Sequence, residues 1–153
     1  MSRRFLMMLP LTAVALAACQ PAARQDVSVD DAWVRLPPVA GRPGAAYFTI
    51  HGGAKADRLV GIDTSKAARV ELHESGMENG MMTMRAIAGA DVPAGGEVRF
   101  APGGNHAMLF DVAADVKPGG EMPLTFRFAS GRTVEVSARA QAAGDAAPGH
   151  SSH

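Results

Sequence analysis

The sequence predicts one all-β domain, a sandwich or barrel of about nine short strands. Three observations lead there. The apolar residues come in short runs closed by Gly, Pro, Asn or Asp, at the spacing of sandwich and barrel strands. Turn formers are plentiful, with 17 Gly and 10 Pro, while aromatics make up only 5% of the chain. No stretch keeps an apolar period of 3.6 residues over a useful length, so helices are not expected. A chain of 153 residues suits a single domain, the usual size being roughly 100–200 residues. Its 47% hydrophobic and 20% charged residues allow a packed core and argue against wholesale disorder.

In chain order, Ala32 to Leu36 reads as a strand stopped by Pro37-Pro38, and Gly44 to Ile50 as a second, stopped by Gly52-Gly53. Arg58 to Ile62 and Ala68 to Glu74 follow. Glu78-Asn79-Gly80 carries a hairpin signal, because an Asn-Gly pair tolerates the positive φ that tight hairpin turns need. Met81 to Ile87 is the returning strand. Gly96 to Phe100, His106 to Val112, Met122 to Phe128 and Thr133 to Ala138 complete the set. The folded domain is expected over residues 30–139. Residues 140–153 (AQAAGDAAPGHSSH) show no apolar pattern and are expected to form a disordered tail.

The N-terminus reads as an address. Two arginines precede an uncharged stretch from Phe5 to Ala18, which is shorter than the ~20 residues a bilayer-spanning helix needs. Residues 1–18 therefore match a secretory leader. Leu16-Ala17-Ala18-Cys19 resembles the bacterial lipobox, in which the cysteine is acylated and becomes the new N-terminus. Cys19 is the only cysteine, and it stands where the motif needs it. An ordinary leader cut beside a chance cysteine is the alternative. Residues 19–29 then form a tether to the membrane surface, with the outer membrane favoured where there is one, because Gln20 is not the Asp that signals inner-membrane retention. Ser2-Arg3-Arg4 leaves both the general and the twin-arginine export routes open.

With Cys19 acylated, neither a free thiol nor a disulfide remains. Metal chemistry in an exported chain would then rely on His, Met, Asp or Glu. Formal net charge is zero for the whole chain, and without Arg3 and Arg4 it is 13 basic against 15 acidic residues. No basic run occurs, which argues against nucleic acid as partner.

Four residues carry the chemistry: His73, Met84, His106 and Met108. His106 and Met108 stand two apart on one expected strand, so their side chains leave the same face. His73 and Met84 flank the Asn79-Gly80 turn on paired strands. Two imidazoles and two thioethers form a soft, uncharged donor set suited to Cu(I), whereas Mg²⁺, Ca²⁺ and Mn²⁺ favour oxygen ligands. Zinc sites take Cys, His and carboxylates. Singly, each residue has an ordinary role, Met as core filler and His as a satisfied polar group.

Ten residues separate His73 from Met84, twenty-one separate Met84 from His106, and one separates His106 from Met108. This spacing resembles the signature of the PCu(A)C-type periplasmic copper chaperones. The blocks Val70–Glu74, Met84-Arg85, Val92–Gly96 and Pro102–Leu109 are similar to that family's, as are Ala32–Arg35 and Gly44–Phe48 upstream. Asn105 stands where the family more often has an aromatic, and His51 where it more often has Asn. The resemblance spans about Ala32 to Ala138. It implies a cupredoxin-like Greek-key β-sandwich or barrel holding one Cu(I) near its surface through His73, Met84, His106 and Met108. It also implies delivery of that copper to the dinuclear copper site of cytochrome c oxidase subunit II, directly or together with Sco-type proteins.

Other readings are weighed against this one. An electron-transfer cupredoxin needs a Cys thiolate beside its histidines, and the chain has none to spare. Ser65, Ser75, Ser130 and Ser137 lie outside any Gly-x-Ser-x-Gly elbow, so no enzyme is expected. Copper sequestration or resistance would use the same four ligands without a delivery partner. A non-metal envelope lipoprotein acting as a protein-interaction module would keep its methionines for packing. Met77, Met81 and Met82 crowd the hairpin that bears Met84 and could supply alternate thioethers during transfer, with hydrophobic contact as their ordinary role. His150 and His153 could form a weak Cu(II) site, and His51 has no evident partner in the sequence.

Overall fold

Turn residues cut the chain into ten strands, and no helix occurs among the described residues. The computed structural model describes residues 25–148. The strands are β1 (Ser28–Arg35), β2 (Gly44–His51), β3 (Asp57–Asp63), β4 (Ala67–Glu78), β5 (Met81–Ala86), β6 (Ala90–Val92), β7 (Glu97–Phe100), β8 (His106–Val112), β9 (Glu121–Phe128) and β10 (Thr133–Gln141). The nine expected strands are all present. The tenth, β6, spans only three residues, too few to show an alternating pattern.

The sheet runs β5-β4-β8-β2-β1-β10-β9-β3-β6, with β7 paired to β2 off this path. Only β1 and β10 run parallel; the other ladders are antiparallel. One edge of β2 serves two strands: Gly44 to Ala46 pair with β8, and Phe48 to His51 pair with β7.

Alternation places the core. On β9, Met122, Leu124, Phe126 and Phe128 are buried, while Glu121, Pro123 and Arg127 face out. Phe48 lies at the centre, stacked on Phe100 at 4.4 Å between ring centroids and edge-on to Phe126 at 4.7 Å. Such pairs add about 0.5–1.5 kcal/mol beyond the area they bury.

The folded body is longer at both ends than the expected 30–139. β1 begins at Ser28, and Val27 and Val29 are buried, so the end of the expected tether belongs to the core. β10 runs to Gln141 with Ala140 buried. Beyond it the Asp145 carboxylate accepts from the Ala142 N–H at 3.0 Å, forming a turn. Ala147 and Pro148 line a cavity beside Trp33 and Phe100. Strand β10 thus takes in Ala140 and Gln141, the first two residues of the expected tail. The leader 1–18, Cys19, the first tether residues, His150 and His153 lie outside the described residues.

Candidate metal centre

β4 is twelve residues long and is shared by two neighbours. Its first half pairs with β8 and its second with β5, and His73 sits at the junction, opposite His106 on one side and Ala86 on the other. The Asn79-Gly80 turn brings β5 back: Asn79 and Gly80 have φ of 50° and 77°, a conformation that this residue pair adopts readily. That turn sets the register Ser75↔Met84. Met84 and His106 thus approach from opposite edges of β4, over the same face.

The two imidazoles lie 5.7 Å apart between ring centroids, tilted by 28°. Their hydrogen bonds assign the tautomers. His106 donates Nδ1–H to the Gly104 carbonyl at 3.0 Å, which leaves the Nε2 lone pair facing Met84 Sδ at 3.2 Å. His73 donates Nε2–H to Glu71 Oε2 at 3.1 Å, so its lone pair is on Nδ1. That Nδ1 is buried and has no hydrogen-bond partner. A nitrogen and a sulfur that are both acceptors face one another across 3.2 Å, beside a second buried acceptor. Lone pairs of this kind suit a soft cation, and a water molecule, with two protons, cannot donate to three acceptors at once.

The loop between β7 and β8 holds His106 in place. Gly103 takes φ of 86°, and the Gly104 N–H closes a turn on the Ala101 carbonyl at 3.0 Å. Gly104 also accepts from the Ser75 N–H at 3.3 Å, which ties the loop to the end of β4. Glu71 is itself fixed, accepting from Arg69 Nε at 2.9 Å through Oε1.

Met108 follows His106 on β8 and faces the same way. Both line a cavity of about 500 Å³ with Arg35, Tyr47, Ser75 and Met82. Arg35 stacks over the Trp33 and Tyr47 rings at 5.2 and 5.6 Å. Burial pushes the Tyr47 phenol above its ordinary range, and the Arg35 charge opposes that rise. His106 is 9% exposed whereas Met84 is 54% exposed, so one donor is fixed in the body and another is open to solvent. No group of three or more His, Cys, Asp or Glu placed to hold a metal ion occurs among the described residues.

Sequence reasoning missed three features. Glu71 and the Gly104 carbonyl orient the imidazoles, and neither has a local sequence signal for that role. His51 is not partnerless: it lies 3.1 Å from Asp30 and 3.7 Å from Glu97, away from the four residues above.

Known proteins match this chain along most of its body. The family model LpqE-like, "Putative lipoprotein LpqE-like", matches residues 27–140. "Putative lipoprotein Lxx21020" of Leifsonia xyli subsp. xyli (strain CTCB07) is 36% identical over 113 residues, 72% of this chain and 66% of that relative. The chain thus spans just under two thirds of that relative's length. Among solved structures, a copper-bound PCuAC domain from PmoF2 superposes with a TM-score of 0.65 at 21% identity, covering 78% of this chain and 96% of that domain. The solution structure of CuI-DR1885 from Deinococcus radiodurans superposes with a TM-score of 0.57 at 27% identity, covering 82% of this chain and 81% of that one. The expectation of an all-β, cupredoxin-like fold is borne out.

Proposed function

The chain belongs to the LpqE-like family, and from that premise we propose that it is an extracytoplasmic copper chaperone carrying one Cu(I) on His73, Met84, His106 and Met108. One observation supports this most. The Nε2 lone pair of His106 faces the Met84 thioether at 3.2 Å, beside a buried His73 Nδ1 that has no partner. A copper-bound PCuAC domain and CuI-DR1885 share this fold, and the latter holds copper as Cu(I).

Uncharged donors leave the bound ion its full positive charge, next to the cationic Arg35. That favours an acidic partner, or one offering an anionic ligand. Thioethers release no proton on binding and are weaker donors than thiolates. A receiving site with cysteines therefore draws the ion away downhill. Met84 is the donor most open to solvent, so a partner's ligand enters on its side while His106 still holds the ion. Glu71 and Gly104 keep both imidazoles oriented through the exchange.

The acceptor that fits this chemistry is the dinuclear copper site of cytochrome c oxidase subunit II, reached directly or with a Sco-type thiol protein. Acylation of Cys19 after loss of residues 1–18 would hold the domain at a membrane surface, because each buried CH₂ of an acyl chain contributes about 0.8 kcal/mol. A Cu(I) chelator competition with the parent chain, Met84→Ala and His106→Ala tests the site: both variants should bind markedly more weakly, and parent-like binding by both would contradict it. Anaerobic transfer to the apo subunit II domain tests the delivery step, and a chain that binds copper but never yields it would be a sequestering protein instead.

A further inference from the structure

The hairpin carries more thioethers than the four-residue set uses. Of the six large apolar side chains exposed among the described residues, four are methionines of this hairpin: Met77, Met81, Met82 and Met84. Met77 is 66% exposed and Met82 69%, so neither acts as core filler. The register divides them. Met77 is opposite Met82, Ser75 opposite Met84, and His73 opposite both Ala86 and His106. Side chains alternate across a strand. Met77, Met82, Met84, the two histidines and Met108 therefore share one face of the sheet. Met81, opposite Glu78, is on the other face. Met82 also lines the cavity that holds His106 and Met108.

We propose that Met77 and Met82 form a second, thioether-only station for Cu(I) at the outer end of the hairpin, from which the ion passes to and from the four-residue centre. The path it serves rests on the four-ligand reading; the station's own ligands do not. Transfer is an exchange of neutral ligands. A Cu–S bond to Met82 forms as that to Met84 breaks, and a bond to Met77 then forms as those to Met108, His73 and His106 break. Copper stays monovalent, and no proton moves because the thioethers and the two ligating ring nitrogens carry none. Two sulfurs bind more weakly than two sulfurs and two imidazoles, so the station fills second and empties first.

The test uses the full chain labelled with ¹³C at the methionine methyls, titrated anaerobically with Cu(I) and followed by NMR. The first equivalent should move the Met84 and Met108 methyls. The second should move Met77 and Met82 and leave Met81 still. Met77→Leu and Met82→Leu should each abolish the second response, whereas Met81→Leu should preserve it. Release of the first equivalent to a water-soluble Cu(I) chelator should slow at least about 5-fold in Met77→Leu, because a nearby ligand acts at high effective concentration. Unmoved Met77 and Met82 methyls, or equal responses from Met81, would overturn the proposal. Failure of the four-ligand reading would register separately, as Met84 and Met108 methyls that ignore copper.

Discussion

His73 and His106 stand in register across β4 and β8, with ring centroids 5.7 Å apart and lone pairs on opposite ring nitrogens: Nδ1 of His73, without a partner, and Nε2 of His106, facing Met84 Sδ. Each is fixed by a hydrogen bond on its other nitrogen, so the pair is built before any ion arrives. His73→Ala and His106→Ala should each lower Cu(I) affinity by more than the roughly 10–100-fold that outer partners of a metal site govern. Competition against a chromophoric chelator under anaerobic conditions measures this.

Glu71 meets the site through His73, accepting its Nε2–H at 3.1 Å, and stands opposite Met108 in the β4–β8 ladder. Glu71→Ala should weaken Cu(I) binding about 10–100-fold, since the imidazole loses its orientation. Glu71→Gln keeps an acceptor oxygen and should recover most of that loss. Denaturant unfolding should change little in either variant, because the Arg69 pairing of Glu71 lies at the surface.

Phe126 is fully buried and edge-on to Phe48. Phe126→Ala should destabilise the fold by about 3–5 kcal/mol, the range for an aromatic deleted from a core. Chemical denaturation gives the value. This residue stands on β9, away from the four donors, so copper stoichiometry at low temperature should be unchanged in the fraction that remains folded.

Acid should erode stability through Asp57 and Asp115. Burial raises the Asp57 carboxyl, but hydrogen bonds from the Ser130 hydroxyl and the Arg58 and Ser130 N–H groups outweigh it and hold it below the ordinary aspartate range. A hydrogen bond from Lys66 lowers Asp115 in the same direction. A group whose value is lowered by folding stabilises the fold above its ordinary range, and that contribution is lost as pH falls through the lowered value. Asp57→Asn should therefore reduce stability at neutral pH and flatten the acid limb of a stability curve recorded by thermal unfolding across pH.

Local patterns made much of this fold legible. The Asn79-Gly80 hairpin follows from two residues, and β9 announces itself by strict alternation from Met122 to Phe128. β6 was invisible because three residues cannot display a period. The start of β1 was hidden in a polar neighbourhood where only Val27 and Val29 mark the core, and the end of β10 by small alanines that suit either a strand or a loop. The four candidate donors were marked by their spacing. The β4–β8 ladder that sets His73 against His106 joins segments more than thirty positions apart, and no local signal encodes it. For the same reason the roles of Glu71 and the Gly104 carbonyl emerge only once those strands are paired.

The most direct test is X-ray absorption at the copper edge on the chain loaded anaerobically with one Cu(I). Two nitrogen and two sulfur scatterers should surround the ion, in the parent and in a Met77→Leu, Met82→Leu background alike, with both sulfurs lost when Met84 and Met108 are replaced together by leucine in that background. A shell without sulfur, or one whose sulfurs survive that double replacement, would contradict the assignment of His73, Met84, His106 and Met108 as the copper-holding set.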